Sequence, residues 1–245
     1  NILKSYYYQG SMFVIASYFD GEKSIINETI ETITKFHPNE RIIIVDSDSP
    51  TKDYAKDLIS DKVEFFDAKN RRRPIGSLLE AYKKYPNEPY YVLMHDTSAL
   101  TSSIQKFIEQ DSEIISFIHC PSPLGTIPPH INRQTYFNWV KNAFHTMDYE
   151  VEENFETDET YSCIVGCMGI YKNSIIKKFI DKGIDESFNS YSFEEFQWAE
   201  RAIGYLAKLE GIDIRQNTIE GNSFNVWYNL PTGNLPYLKK ICAGR

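Results

Sequence analysis

The feature that most constrains this chain is a recurring rhythm of short apolar runs separated by helix-patterned segments. Residues 12–19 (MFVIASYF), 41–45 (RIIIV), 63–68 (VEFFDA), 90–94 (YYVLM) and 113–119 (EIISFIH) are each rich in β-branched or aromatic residues and too short for core helices. Between the first two, residues 22–36 carry Ile25, Ile26, Thr29, Ile30 and Ile33 at helical spacing, and His37-Pro38-Asn39 ends the pattern. Residues 51–59, 76–85 and 101–110 read as further helices. Strand starts roughly 20–30 residues apart, with helices between, predict βαβ units and a mostly parallel sheet covered on both faces. Ligands of such sheets sit beyond the carboxyl ends of the strands. The polar residues there are Ser17, Asp20, Asp46, Asp48, His95 and Asp96.

After Cys120 the rhythm breaks. Residues 121–129 (PSPLGTIPP) form a Pro-rich loop, and 132–146 an aromatic helix with Tyr136, Phe137, Trp139 and Phe144. Residues 150–159 are acidic, 162–171 form an apolar element expected to rejoin the sheet, and 173–181 and 193–209 read as helices. No repeat or linker divides the chain, so one domain is expected over 12–245. Residues 6–12 (YYYQGSM) resemble a protease-site and cloning remnant, and residues 1–11 are set apart from the functional reading on that ground.

Composition excludes several classes. With 26 Lys and Arg against 34 Asp and Glu, the net charge of −8 argues against a nucleic-acid partner. No apolar run approaches the ~20 residues of a membrane span, and no signal-peptide pattern is present, so a cytoplasmic location is expected. The four cysteines are too few for a disulfide scaffold, and Cys163 and Cys167 lack the second pair of a zinc site. The glycine fingerprints of dinucleotide and P-loop sites are absent after the first strand, as is the Gly-x-Ser-x-Gly elbow. A nucleotide would have to be held by carboxylates through a metal, or by Arg and Lys directly. Arg72 and Arg73, within the run before Gly76 at a helix start, suit a diphosphate, although a solvated charge run is nearly as good a reading.

The order VIASYFDG, RIIIVDSDS, YYVLMHDTSAL and FEEFQWAERAIGYLAKLEG resembles the GT-A-fold glycosyltransferases, over residues 12 to about 211. The resemblance implies a Rossmann-type mixed, mostly parallel α/β sheet flanked by helices. It implies a nucleotide-sugar-binding half (12–120) and an acceptor-binding and catalytic half (121–245). Asp46 would contact the base or ribose, in a donor site with Ala16, Ser17, Asp20 and Asp48; an Asx turn is the plainer alternative for Asp46 and Asp48. His95-Asp96-Thr97 stands where the family carries Asp-x-Asp, so Asp96, with His95 as a second ligand, would bind Mn²⁺ or Mg²⁺ across the donor phosphates. Glu195 aligns with the catalytic base beside Glu194, and Arg201 with the motif's arginine. Glu200 is the second candidate base, five residues on and about 140° around the helix. Acids in a first turn also simply favour the helix dipole. Gly166 and Trp139 are acceptor-side candidates. The implied partners are a UDP- or GDP-linked sugar and a hydroxyl of a glycan, lipid or protein. A nucleotidyltransferase would need a Gly- and Lys-rich loop that residues 16–21 lack. A non-catalytic nucleotide- or carbohydrate-binding module stays open because the Asp-x-Asp is incomplete.

Overall fold

Four of the apolar runs stand side by side as parallel strands. In the computed structural model they are β1 (Ser11–Ser17), β2 (Arg41–Asp46), β3 (Val63–Asp67) and β4 (Tyr90–His95), ordered β3-β2-β1-β4. The structure describes residues 10–19, 25–70, 73–121, 132–152, 161–188, 193–229 and 233–241, without the side chains of residues 73, 133 and 193–196. Ser11, assigned by sequence to the remnant, opens β1 opposite Tyr90, and its N–H donates to Glu40.

Strict alternation in these strands builds two cores. Phe13, Ile15, Ile42, Ile44, Val92 and Met94 face α1 (Ile26–Phe36). Val14, Ala16, Ile43, Val45, Tyr91 and Leu93 face α2 (Arg73–Lys84), whose first turn holds Pro74 where a missing N–H costs nothing. Residues 51–59, expected to be helical, contain a 3₁₀ segment, Asp53–Leu58. The expected helix 101–110 is reduced to α3 (Gln105–Ile108), and it follows a short strand, β5 (Ser98–Leu100).

The fifth apolar run is two strands rather than one. β6 (Ile114–Ser116) lies at the far edge of the main sheet, and β7 (His119–Cys120) leaves it to pair with β8 (Cys163–Ile164). The apolar element of the second half does rejoin the sheet. As β9 (Gly169–Lys172) it inserts between β4 and β6, antiparallel to both. The completed order is β3-β2-β1-β4-β9-β6.

The second half supplies α4 (Arg133–Thr146), α5 (Asn173–Asp181), α6 (Ile184–Ser187) and α7 (Phe193–Leu209), all packed on the α2 side. Aromatic rings fill their junction: Trp139 lies 5.4 Å from Phe188 and 5.7 Å from Trp198, and Phe144 lies 5.5 Å from Tyr205. α8 (Phe224–Asn229), β10 (Gly233–Asn234) and β11 (Leu238–Lys240) complete the fold, with β11 pairing β5.

α7 crosses β8 without a side chain between them. A Cβ at Gly204 would come 2.0 Å from the carbonyl oxygen of Ser162, so only glycine permits this approach. Gly204→Ala is expected to destabilise the fold by about 2 kcal/mol or more, because backbone rather than a flexible side chain must move. Urea unfolding monitored by circular dichroism measures it; an unchanged midpoint would mean α7 is free to shift.

Candidate active site

The strand order reverses at β1, which has β2 on one side and β4 on the other, so a crevice opens at their carboxyl ends. Alternation decides which side chains share it. Ser17 continues the row Phe13, Ile15; Asp46 continues Ile42, Ile44; Asp67 continues Val63, Phe65; and Asp96 continues Val92, Met94. All four therefore belong to the α1 face. His95 belongs to the opposite row and to the α7 side.

Asp46 is wholly buried and is the hub of the first group. Its Oδ1 accepts from the Ser49 N–H at 2.9 Å and Lys52 Nζ at 2.6 Å. Its Oδ2 accepts from the Tyr54 hydroxyl at 2.7 Å and from Ser49 Oγ. Burial alone would raise this carboxyl, but the bonds from Lys52, Ser49 and Tyr54 outweigh it and hold the group below its ordinary range. Tyr54 also lies 2.9 Å from Ser17 Oγ, which donates to Asp96 Oδ2 at 2.9 Å. The Tyr18 N–H reaches the same Asp96 oxygen at 3.3 Å. Lys52 bridges onward to Asp67 Oδ1 at 3.2 Å. A polar chain thus runs along the sheet end from Asp67 through Asp46 and Ser17 to Asp96.

The second group centres on Gly166, in the short 3₁₀ turn between β8 and β9. Its carbonyl oxygen is 2.7 Å from His95 Nε2, and its N–H bonds the Glu200 carboxylate on α7. Gly166 has φ +64°, and a Cβ there would meet the His95 ring at 2.7 Å. Burial pushes the Glu200 carboxyl up to about 7, against the opposing charge of Arg201 and the Gly166 N–H. Arg201 is itself buried and donates from Nη1 to the Gln197 carbonyl at 2.6 Å.

The sequence candidates are distributed accordingly. Ser17, Asp46 and Asp96 come together, with Ala16 beside them, its carbonyl accepting from the Asp96 N–H at 3.2 Å. Asp48 is exposed in a left-handed turn, φ 62°. Gly76 is buried in the first turns of α2. Gly166, Glu200 and Arg201 gather behind His95, and Trp139 is half-buried in the aromatic junction. Asp20, Arg72 and the side chains of Arg73, Glu194 and Glu195 lie outside the described residues. Sequence reasoning missed Lys52, Tyr54 and Asp67. Their signal was present, since Lys52 and Tyr54 stand six and eight residues after a strand-end acid, but nothing local says they turn back to it.

A divalent ion held jointly by His95 and Asp96 does not fit this arrangement. The two side chains project to opposite faces of the sheet, and His95 Nε2 faces a carbonyl oxygen, which makes it a donor rather than a ligand. Among the described residues no three His, Cys, Asp or Glu side chains converge.

A parallel sheet with this reversal, a polar strand-end crevice and an acid-bearing helix alongside is the GT-A type of nucleotide-sugar transferase fold. Residues 13–180, more than half of the chain, match the family described as Glycosyl transferase family 2, and the chain belongs to that family. Two solved structures of residues 1–349 of S. aureus TarS are similar in fold. The one in complex with UDP has 12% identity and a TM-score of 0.41, covering 79% of this chain and 54% of the solved TarS chain. The other has 10% identity and a TM-score of 0.40, covering 79% and 55%. The chain therefore spans about half the length of these structures. Comparison with curated proteins gives no match. No helix among the described residues is long and apolar enough to cross a membrane.

Two pH responses follow. Asp46 has a depressed pKa, so its contribution to stability is present above its unfolded value of 3.8 and is lost as pH falls through the lower folded value. Asp46→Asn should cost roughly 3 kcal/mol at neutral pH, by unpairing buried donors, and should remove that part of the acid slope. Glu200 has a raised pKa, so its contribution is full below 4.5 and disappears as pH rises through about 7. Glu200→Gln should flatten stability across that interval. Denaturant titrations at several pH values check both, and parallel wild-type and variant profiles would contradict them.

Proposed function

We propose that this chain transfers a sugar from a nucleotide-diphosphate donor, UDP- or GDP-linked, to a hydroxyl group of a glycan, lipid or protein acceptor. The observation that supports this most directly is the convergence of Ser17, Asp46 and Asp96 at the strand ends, within the region matched by the family. The donor's nucleoside lies over the ends of β1 and β2. Its diphosphate lies toward Asp96, with Arg72, Arg73 and the N-terminus of α2 near Gly76 offering positive charge and free N–H groups. The acceptor enters from the second half, past Trp139 and Gly166.

In this reading the acceptor oxygen forms the new bond to C1 of the sugar. The C1–O bond to the diphosphate breaks, and the electron pair leaves with the nucleoside diphosphate. Glu195 takes the acceptor proton, with Glu194 beside it in the acidic motif. Glu200 and Arg201 lie one to two turns further along α7 and shape the floor near His95 and Gly166. Glu200 carries a pKa about 7, a value at which a carboxylate can exchange protons near neutrality.

Incubation with a panel of nucleotide sugars, with release of free sugar as the readout, tests the proposal. One donor should be hydrolysed slowly in the absence of acceptor. Glu195→Gln should lower transfer about 10²-fold while leaving nucleoside diphosphate affinity within a few-fold. Binding without turnover of any donor would favour a binding module. Full activity in Glu195→Gln would remove the base assignment.

A further inference from the structure

Sugar transfer as proposed above leaves the cysteines unused, yet two of them stand as a pair. Cys120 ends β7, Cys163 opens β8, and the antiparallel register sets them directly opposite one another. Two pairs further along, the Val165 N–H donates to the Ile118 carbonyl at 3.1 Å, which anchors that register. Directly opposed residues of an antiparallel ladder have Cα atoms roughly 4.5–5.5 Å apart and side chains on one face. That separation lies within the span a disulfide accepts. The two thiols are already in hydrogen-bond contact. The face decides which sulfurs can meet. Cys120 and Cys163 both enter the core on the α1 side, with Ile118 and Val165. Cys167 is only four residues beyond Cys163 but belongs to the opposite core, and its backbone is left-handed at φ 53°.

Closed, the pair is protected. Cys120 is 5% exposed and Cys163 2%. The contact with Cys120 and burial hold the Cys163 proton well above the ordinary thiol range, so the thiolate that would react is scarce. Reaction therefore passes through opening of the β7–β8 ladder. That ladder holds two residue pairs and is separate from the six-stranded sheet, so it opens locally at far lower cost than the main sheet.

We propose that Cys120 and Cys163 are a redox modification site, closing to a reversible disulfide when a small disulfide such as oxidised glutathione supplies the oxidant. One protein thiolate attacks a sulfur of the small disulfide and expels a small thiolate. The second protein thiolate then attacks the protein sulfur of that mixed disulfide, forms the Sγ–Sγ bond and expels the other small thiolate. The two protein thiol protons end on the two released small thiols. One protein dithiol and one small disulfide thus become one protein disulfide and two small thiols. The bond ties together the two ends of residues 121–162. It also fixes β8, which delivers the Gly166 turn to His95 and Glu200.

The test needs no nucleotide sugar. The reduced chain is incubated with oxidised glutathione, and intact mass and a non-reducing peptide map read the product. The expected product lacks two hydrogen atoms, links the peptides containing Cys120 and Cys163, and reverts fully with dithiothreitol. Because the bond closes a long loop, the thermal midpoint should rise by roughly 5 °C on oxidation. Cys120→Ala and Cys163→Ala, each shown by circular dichroism to be folded, should lose both the two-hydrogen change and the rise. The wild-type peptide map decides the matter even where a variant does not fold. Glutathione adducts without a link, a link through Cys167 or Cys242, or thiols that react only in urea would each overturn the proposal.

Discussion

A fully buried negative charge organises the business end of this sheet. Asp46 ends β2 with no access to water, a placement that is costly unless every lone pair finds a donor. Satisfying it draws in the turn at Ser49, the Lys52 ammonium and the Tyr54 hydroxyl from the 3₁₀ segment. That segment is thereby tied to β2, and through Tyr54 and Lys52 to Ser17 and Asp67. The conformation of residues 47–54 is thus set more by the electrostatics of one carboxylate than by local propensity. The 3₁₀ geometry in place of a regular helix is consistent with that tether.

The second organising constraint is the period of the β-strand. One residue separates His95 from Asp96, and that single step sends them to different sides of the sheet. Asp96 joins the hydroxyl and carboxylate chain on the α1 face. His95 joins Gly166 and Glu200 beneath α7. The site therefore has two chemically distinct compartments. One is a strongly polar rail along the strand ends, and the other is the His95–Gly166–Glu200 cluster, where desolvation raises a carboxyl.

Much of the fold was legible in the sequence because β1 to β4 are continuous apolar runs and α1 and α7 carry clean helical periodicity. Reading failed where tertiary pairing overrides local pattern. The run 113–119 looked like one strand, yet His119 and Cys120 are captured by Ile164 and Cys163, which lie more than forty residues away in sequence. The expected helix at 101–110 is shortened to α3, and its first residue, Thr101, donates its N–H to the Tyr237 carbonyl just beyond β5, whose partner β11 comes from late in the chain. At the site, strand ends identified Ser17, Asp46 and Asp96 correctly as neighbours. Lys52, Tyr54 and Asp67 were not legible, since their roles depend on a turn folding back onto Asp46.

The antiparallel sense of β9 has a consequence for how the two halves of the chain meet. A strand running against β4 begins where β4 ends, with Gly169 opposite Leu93 and Lys172 opposite Tyr90. The residues that lead into β9 are delivered to the mouth of the crevice, and those that follow it are carried to the floor of the molecule. Had β9 run parallel, its leading turn would have emerged at the opposite pole, far from His95. Length changes before β9 and after it are therefore unequal in effect: residues added ahead of Gly169 crowd the crevice, whereas residues added beyond Lys172 only lengthen the far side.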